Sequence, residues 1–345
     1  MNLSRNRARA ARRGPLLVLA AVAAGAAIAA CGGSSSSNNS ASSSASSKLA
    51  ASAGYTLNVG YIGNTGILTG PEGFAYSKGL LQKWLAAKGI AKIKLAQFAN
   101  GPLLTAAMTG GSLDVGILGD TPALIANSHG LPVKMINQDE VGQPAWIVAK
   151  KGGATTLAGL SGQTIARPVG SYMDRYLQGV LAQNGLTSKV HLTAMLPPQA
   201  IPAAVNGSID AVALPAWEVA PIIAAGGTVV AKSETTPSIQ GTGVTIATTK
   251  VLSAHPSLPQ DWNAVRLKAI AYAKANPSAF YAFEAKANGI KAGAAAAKSF
   301  LPLSIYPAAN YTPTGLKMLN STLNFLVSEK EANAFSIDGW KAAGT

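Results

Sequence analysis

From Tyr55 onward, short β-rich runs alternate with longer stretches whose apolar residues recur at helical spacing. The pattern predicts strands over 56–62, 93–98, 113–118 and 133–138. Helices are predicted over 74–88, where Phe74, Leu81, Trp84 and Leu85 share one side, and over 103–108 and 122–128. After a polar break at 150–156 the rhythm repeats, with strands over 164–167, 190–194, 209–214 and 228–231 and helices over 172–184, 198–206 and 217–225. Beyond a strand at 244–248 only helical segments follow, at 260–274, 277–286, 292–300 and 313–328. Alternating βα units imply an α/β fold with mostly parallel sheet, and two half-chains with the same rhythm imply two lobes. The last block has too few strands for a sheet of its own, so it is expected to pack back on the first lobe. The expected division is 55–152 for the first part of lobe one, 153–243 for lobe two, and 244–345 for the return.

The first 54 residues read differently. Five arginines (Arg5, Arg7, Arg9, Arg12 and Arg13) precede an apolar run from Pro15 to Ala30, which is short for a membrane span and suits a signal-peptide core. Residues 1–30 are therefore read as a leader. Ile28-Ala29-Ala30-Cys31 resembles the bacterial lipoprotein processing motif, in which the cysteine is lipidated and becomes residue one. Several acyl chains, at roughly 0.8 kcal/mol per buried CH₂, would hold such a protein stably on a membrane. Arg12-Arg13 leaves twin-arginine export open beside the general route. Residues 32–54 are almost entirely Ser, Gly, Ala and Asn and read as a flexible tether with a reach of roughly 26 Å.

Composition narrows the function classes. The 345 residues carry a formal charge of +14, which invites a nucleic-acid reading until the charges are located. Without the leader the net charge is +9, from 23 basic and 14 acidic side chains, and the basic residues are dispersed. Nucleic acid is therefore not an expected partner. Cys31 is the only cysteine, and His129, His191 and His255 are far apart, so neither a disulfide framework nor a metal motif is expected. No cofactor is expected either.

The candidate ligand contacts lie at predicted strand ends, where α/β sheets place ligands. Gly119-Asp120-Thr121 closes the strand in GGSLDVGILGD, with Asp120 or Thr121 able to cap the helix behind Pro122. Val169-Gly170-Ser171 leads into the helix that starts at Tyr172, and its free N–H groups suit an anion. Asn100-Gly101-Pro102 and the turn holding Asn64 and Thr65 complete four loops. Arg175 can pair with a carboxylate or sulfonate. Asp120, Asp174 or Glu218 can hold an ammonium group, and Trp217 and Tyr172 can flank an apolar part.

Four phrases, LNVGYI (57–62), FANGPLLTAAMTGGSLDVGILGDTPALIANSHGLP (98–132), LAGLSGQTIARPVGS (157–171) and LPPQAIPAAVNGSIDA (196–211), together resemble one family. It is the periplasmic substrate-binding proteins of ABC importers for aliphatic sulfonates, taurine and nitrate. The resemblance implies a two-lobed type II periplasmic-binding-protein fold with a ligand cleft between lobes. It also implies an exported, lipid-anchored monomer that captures a small anionic organic molecule and delivers it to an ABC permease and ATPase complex. A ligand-sensing lipoprotein, or a binder of nitrate or of a pyrimidine or aromatic compound, stays open as an alternative. Relatives that act as enzymes on this scaffold call for cysteine- or histidine-bearing motifs; the part of the chain predicted to fold has no cysteine, so catalysis is not expected.

Overall fold

The computed structural model describes residues 54–345; residues 1–53, with the leader, Cys31 and all but the last residue of the tether, lie outside it. Two five-stranded sheets organise the chain. The first contains β1 (Tyr55–Ile62), β2 (Ile90–Phe98), β3 (Val115–Gly119), β4 (Val133–Gln143) and β10 (Gly241–Thr248), in the order β2-β1-β3-β10-β4. The second contains β5 (Ala145–Ala149), β6 (Thr164–Arg167), β7 (His191–Ala194), β8 (Ala211–Pro215) and β9 (Thr228–Lys232), in the order β7-β6-β8-β5-β9. The two sheets share one plan. Three parallel strands are followed by one antiparallel strand, β10 in the first sheet and β5 in the second, and then by an outer strand antiparallel to it.

The antiparallel strands mark where the chain changes sheets. β4 runs through Pro144 into β5, and β9 returns through residues 233–240 into β10. The two crossings are tied together. Ser233, fully buried, accepts from the Ala145 N–H (3.0 Å) and donates to the Gln143 carbonyl (3.4 Å). Gln240 Nε2 donates to the Gly142 carbonyl (2.9 Å).

Several sequence-based boundaries shift. A division at 152/153 would leave Ala145–Ala149 with the first lobe, whereas both ladder partners of β5, β8 and β9, lie in the second sheet. A boundary at 243/244 likewise cuts β10, which begins at Gly241 in the first sheet. The strand AWIVA escaped prediction because a short apolar run beside a strand shows no break of its own. The helix expected over 74–88 is two, α1 (Gly70–Ser77) and α2 (Leu80–Ala86), because Gly79 takes a left-handed conformation (φ +69°) that interrupts the spiral. Each sheet is mixed rather than mostly parallel in its outer half.

The remaining helices are α3 (Gly101–Thr109), α4 (Asp120–Ser128), α5 (Tyr172–Gln183), α6 (Pro197–Asn206), α7 (Ala220–Ala224), α8 (Thr249–Ala254), α9 (Leu258–Ala275), α10 (Pro277–Ala287), α11 (Gly293–Phe300), α12 (Pro313–Ser328) and α13 (Ile337–Trp340). The C-terminal block returns to the first lobe. Leu258, Trp262 and Val265 of α9 share a core with Leu57 and Val59 of β1, while Leu319, Leu323 and Leu326 of α12 pack with Leu104 and Leu124. Full burial of each such side chain contributes about 1.5–3 kcal/mol. Among the described residues no helix is long and apolar enough to cross a membrane.

Glycines let helices approach the first sheet closely. Gly60 and Gly116 are register partners on β1 and β3, and Leu104 of α3 lies over both positions, where an added Cβ would fall within about 3.2 Å of its side chain. Gly101, at the start of α3, faces Pro122 of α4 so tightly that an added Cβ would lie 2.1 Å from the proline Cγ. A proline ring cannot swing aside, so Gly101→Ala is expected to lower stability by about 1–3 kcal/mol, measured by denaturant unfolding.

Candidate functional site

The loops after the parallel strands of both sheets face one cleft. Gly63, Asn64 and Thr65 follow β1, Ala99 to Gly101 follow β2, and Gly119 ends β3; from the second sheet come Pro168, Pro197, Pro215, Trp217 and Glu218. They enclose a cavity of about 160 Å³, room for on the order of ten waters or one small organic molecule. Five helices, α1, α3, α4, α5 and α6, begin at residues on this wall, so their positive dipole ends converge on it.

Of the residues singled out from the sequence, Asn64, Thr65, Asn100, Gly101, Gly119, Ser171, Tyr172, Trp217 and Glu218 line the cavity. Asn100 also caps α3, accepting from the Leu103 N–H (2.9 Å). Ser171 Oγ caps α5 by accepting from the Asp174 N–H (3.2 Å), which leaves its hydroxyl hydrogen free for a ligand oxygen. Asn64 Nδ2 donates across the cleft to Glu218 Oε1 (2.9 Å). Trp217 packs on the first-lobe cluster that contains Phe280, Tyr281 and Ala297, so the second lobe rests there on the returning helices.

Asp120, Thr121, Gly170, Asp174 and Arg175 do not line it. Asp120 is completely buried, and its oxygens accept from the Thr121, Thr242 and Thr322 hydroxyls and the Thr242 N–H at 3.0–3.2 Å. It ties α4 to β10 and α12. Neither it nor Thr121 caps α4, whose N-cap is Gly119. Burial raises the Asp120 carboxyl against the lowering effects of the Thr242 N–H and Arg175. Gly170 takes φ +72° and donates its N–H to Asp174 Oδ2 (2.9 Å), and Asp174 Oδ1 pairs with Arg167 at 2.6 Å. Arg175 turns away toward the 233–240 crossing and α12. Its Nη2 lies 3.5 Å from the Ser238 carbonyl and 3.3 Å from Ser321 Oγ, and its guanidinium carbon lies 5.3 Å from the Phe325 ring centroid. Asp174 is thus held by the turn before α5 and Arg175 by the crossing and α12, so neither side chain reaches the cleft.

Sequence reasoning missed a set of acidic and aromatic residues on the same wall. Glu72 of α1, Asp139 and Glu140 of β4, and Tyr61, Gln143, Met173 and Tyr306 all line the cavity. The signal for two of them was an acidic pair, Asp139-Glu140, directly beyond a predicted strand end at 138. β4 in fact runs on to Gln143. Gly243 gives Asp139 its room, since an added Cβ would lie 2.9 Å from Asp139 Oδ1.

Every ionisable Asp, Glu, Lys, Arg or His among the lining residues is a carboxylate: Glu72, Asp139, Glu140 and Glu218. Arg266 of α9 stands behind them, buried and committed. Its Nε is 3.3 Å from Glu72 Oε1, its Nη1 donates to the Pro307 carbonyl (2.8 Å) and its Nη2 to the Asp139 carbonyl (3.0 Å). Glu284 of α10 adds a further carboxyl close by, accepting from the Gly70 N–H (2.9 Å). Burial is the largest influence on each acid and pushes all of them up: Glu218 to about 7, Glu284 to about 8, and Glu72, Asp139 and Glu140 in the same direction. Repulsion from Glu140 and Glu72 raises Asp139 further, and the Arg266 guanidinium opposes the rise of Glu72. Burial also raises the Tyr172 and Tyr306 hydroxyls, which stay protonated.

These shifts have a sign for stability. A carboxyl raised above its ordinary 4.5 binds its proton more tightly in the folded chain, so folding is favoured at low pH and loses that contribution as pH rises. The ligand-free protein is expected to melt at progressively lower temperature from about pH 5 to pH 8, and a Glu218→Gln, Glu284→Gln double variant to flatten that slope.

The protein-family model described as NMT1/THI5 like matches residues 79–280. A curated protein of Escherichia coli (strain K12), named for binding aliphatic sulfonates, is 30% identical over 131 residues, 37% of this chain; the match spans 40% of that relative's length. Among solved structures, the alkanesulfonate-binding protein SsuA from Xanthomonas axonopodis pv. citri bound to MOPS superposes with a TM-score of 0.67 at 22% identity, covering 81% of this chain and 94% of that one. The desulfurization enzyme DSZB superposes with a TM-score of 0.64 at 15% identity, covering 84% and 97%. Binding proteins and an enzyme thus share this fold.

Proposed function

Since the chain belongs to the NMT1/THI5-like family, we propose that it is the solute-binding component of an ABC importer, exported and held on the outer face of the membrane by a lipid on Cys31. It captures a small organic molecule bearing a sulfonate or similar anionic head, taurine-like ligands included, and presents it to a permease and ATPase. The observation that carries this reading is a cavity framed by the strand ends of two like sheets, with five helix N-termini converging on it. An anionic head is held by backbone N–H groups at the starts of α3 and α5 and by the Ser171 hydroxyl, a recognition that needs no cationic side chain. Opening and closing proceed by bending at the two crossings, with the Asn64–Glu218 hydrogen bond joining the two rims when the cleft is closed. Micromolar capture requires about 8 kcal/mol, within reach of a few charge-assisted hydrogen bonds in a desolvated cleft.

The relatives named as binding proteins and the site itself favour capture over chemistry. The only cysteine is Cys31, and no histidine lines the cavity; His255 is stacked on Tyr55 at 3.4 Å between ring centroids.

A thermal-shift screen of alkanesulfonates, taurine, nitrate and sulfate tests the ligand class. A bound ligand at 100 times its Kd adds about 2.7 kcal/mol and raises the melting temperature, and Ser171→Ala is expected to weaken the anion by about 1 kcal/mol in calorimetry. Absence of any shift with sulfonates sinks the sulfonate reading. Cys31→Ser is expected to move the exported protein from the membrane to the soluble fraction, with loss of lipid labelling.

A further inference from the structure

The electrostatics of the cavity add a requirement that an anionic head alone does not meet. Glu72, Asp139, Glu140 and Glu218 face it from α1, from β4 and from the turn after β8, and no lysine, arginine or histidine is among its lining residues. The nearby guanidinium, Arg266, lies behind the wall, ion-paired with Glu72 and donating to the Pro307 and Asp139 carbonyls. A simple anion placed here would meet four carboxyls with no compensating charge in front of them.

A second, independent observation points to a ligand. Tyr172 and Gln143 line the same cavity, are 9% and 8% exposed, and leave the Tyr172 hydroxyl and Gln143 Oε1 without a partner. Asp139 Oδ1 and Glu218 Oε2 are unpartnered as well. Buried polar atoms in folded proteins are almost always satisfied, so these four atoms on one cavity wall, three of them acceptor oxygens, call for a molecule that supplies donors. Tyr61, Tyr306 and Trp217 complete an aromatic wall on the same cavity. Carboxylates combined with aromatic faces are the chemistry that recognises organic cations. A bare metal ion fits less well, since among the described residues no three acidic or histidine side chains gather closely enough to form a cage.

We propose that the ligand carries a positively charged nitrogen group, an ammonium or amidinium, held by Asp139, Glu140 and Glu72 beside Tyr172 and Tyr306. This inference rests on the reading of the cleft as a solute site and deepens it: the transported molecule is a cation or a zwitterion whose anionic end, where it has one, lies at the helix N-termini. The raised carboxyls then have a role. A cation beside them favours their charged forms, so its binding lowers their hold on protons and releases those they carry. The groups facing this exchange are Glu72, Asp139, Glu140 and Glu218, with Glu284 and Arg266 behind them and the two tyrosines protonated throughout.

A matched set of probes, 3-aminopropanesulfonate, propanesulfonate, propylamine, choline and benzamidine, tests this by calorimetry on the exported chain. Expected are binding by cation-bearing members and an affinity that is higher at pH 8 than at pH 6, as the raised carboxyls lose their protons. Proton release should appear as a dependence of the heat on buffer ionisation. Asp139→Asn and Glu140→Gln, checked for unchanged melting, should each lower cation affinity at least tenfold. Binding by propylamine, choline or benzamidine without either sulfonate supports the cation site and overturns the sulfonate reading. Propanesulfonate binding as tightly as its amino analogue, with affinity falling as pH rises, overturns the cation site and leaves the sulfonate reading standing. Failure of every cationic probe also overturns it.

Discussion

Two passes of backbone join the sheets on either side of the cleft, one from Gln143 into Ala145 and the other from Lys232 to Gly241, and the rest of the structure is arranged around them. Each pass delivers an antiparallel strand, so each sheet is completed by a segment that has just left the other. Ser233 and Gln240 tie the passes to each other. A pair of tied strands bends more readily than it shears or dissociates, which suits lobes that close on a ligand and reopen. The same geometry places Asp139, Glu140 and Gln143 of β4 on the cavity wall immediately before the first pass.

The buried polar residues of the molecule fall into two kinds. Asp120 and Asp174 have their charges answered within the protein, by threonine hydroxyls and by Arg167 with the Gly170 N–H, and Arg175 reaches Ser321 and the Phe325 ring through one side of its guanidinium. They stabilise the packing of α4, α5 and α12. Glu72, Asp139, Glu140 and Glu218 are answered only in part, and burial raises the pKa of each. Partial satisfaction of that kind is costly to the empty fold, and proteins tolerate it where a bound molecule restores the balance.

Recognition therefore has two components of different origin. Helix N-termini provide positive potential from backbone alone, fixed by where strands end and helices begin. The carboxyls provide negative potential from side chains on α1, β4 and the turn after β8. The first is common to any fold with this topology; the second belongs to the side chains of this chain.

Much of this was legible in the sequence. Periodicity located strands and helices on both sides of the polar break, because alternation and helical spacing are local properties of a chain. Turn chemistry located the loops holding Asn64, Asn100, Gly119 and Ser171, because ligands in α/β sheets gather at strand ends. What the sequence left open was which way individual side chains face and which distant segments meet. Asp174 and Arg175 stand within four residues of Ser171 yet turn to Arg167 and to α12 rather than to the cleft, and that depends on which distant segments pack beside α5. Asp139 and Glu140 could not be separated from a surface turn, since β4 continues past Gln138 only because β10, about one hundred residues later, pairs with it. Local pattern decides what an element is; long-range pairing and packing decide where it ends, which face is buried, and which charges are left to meet a ligand.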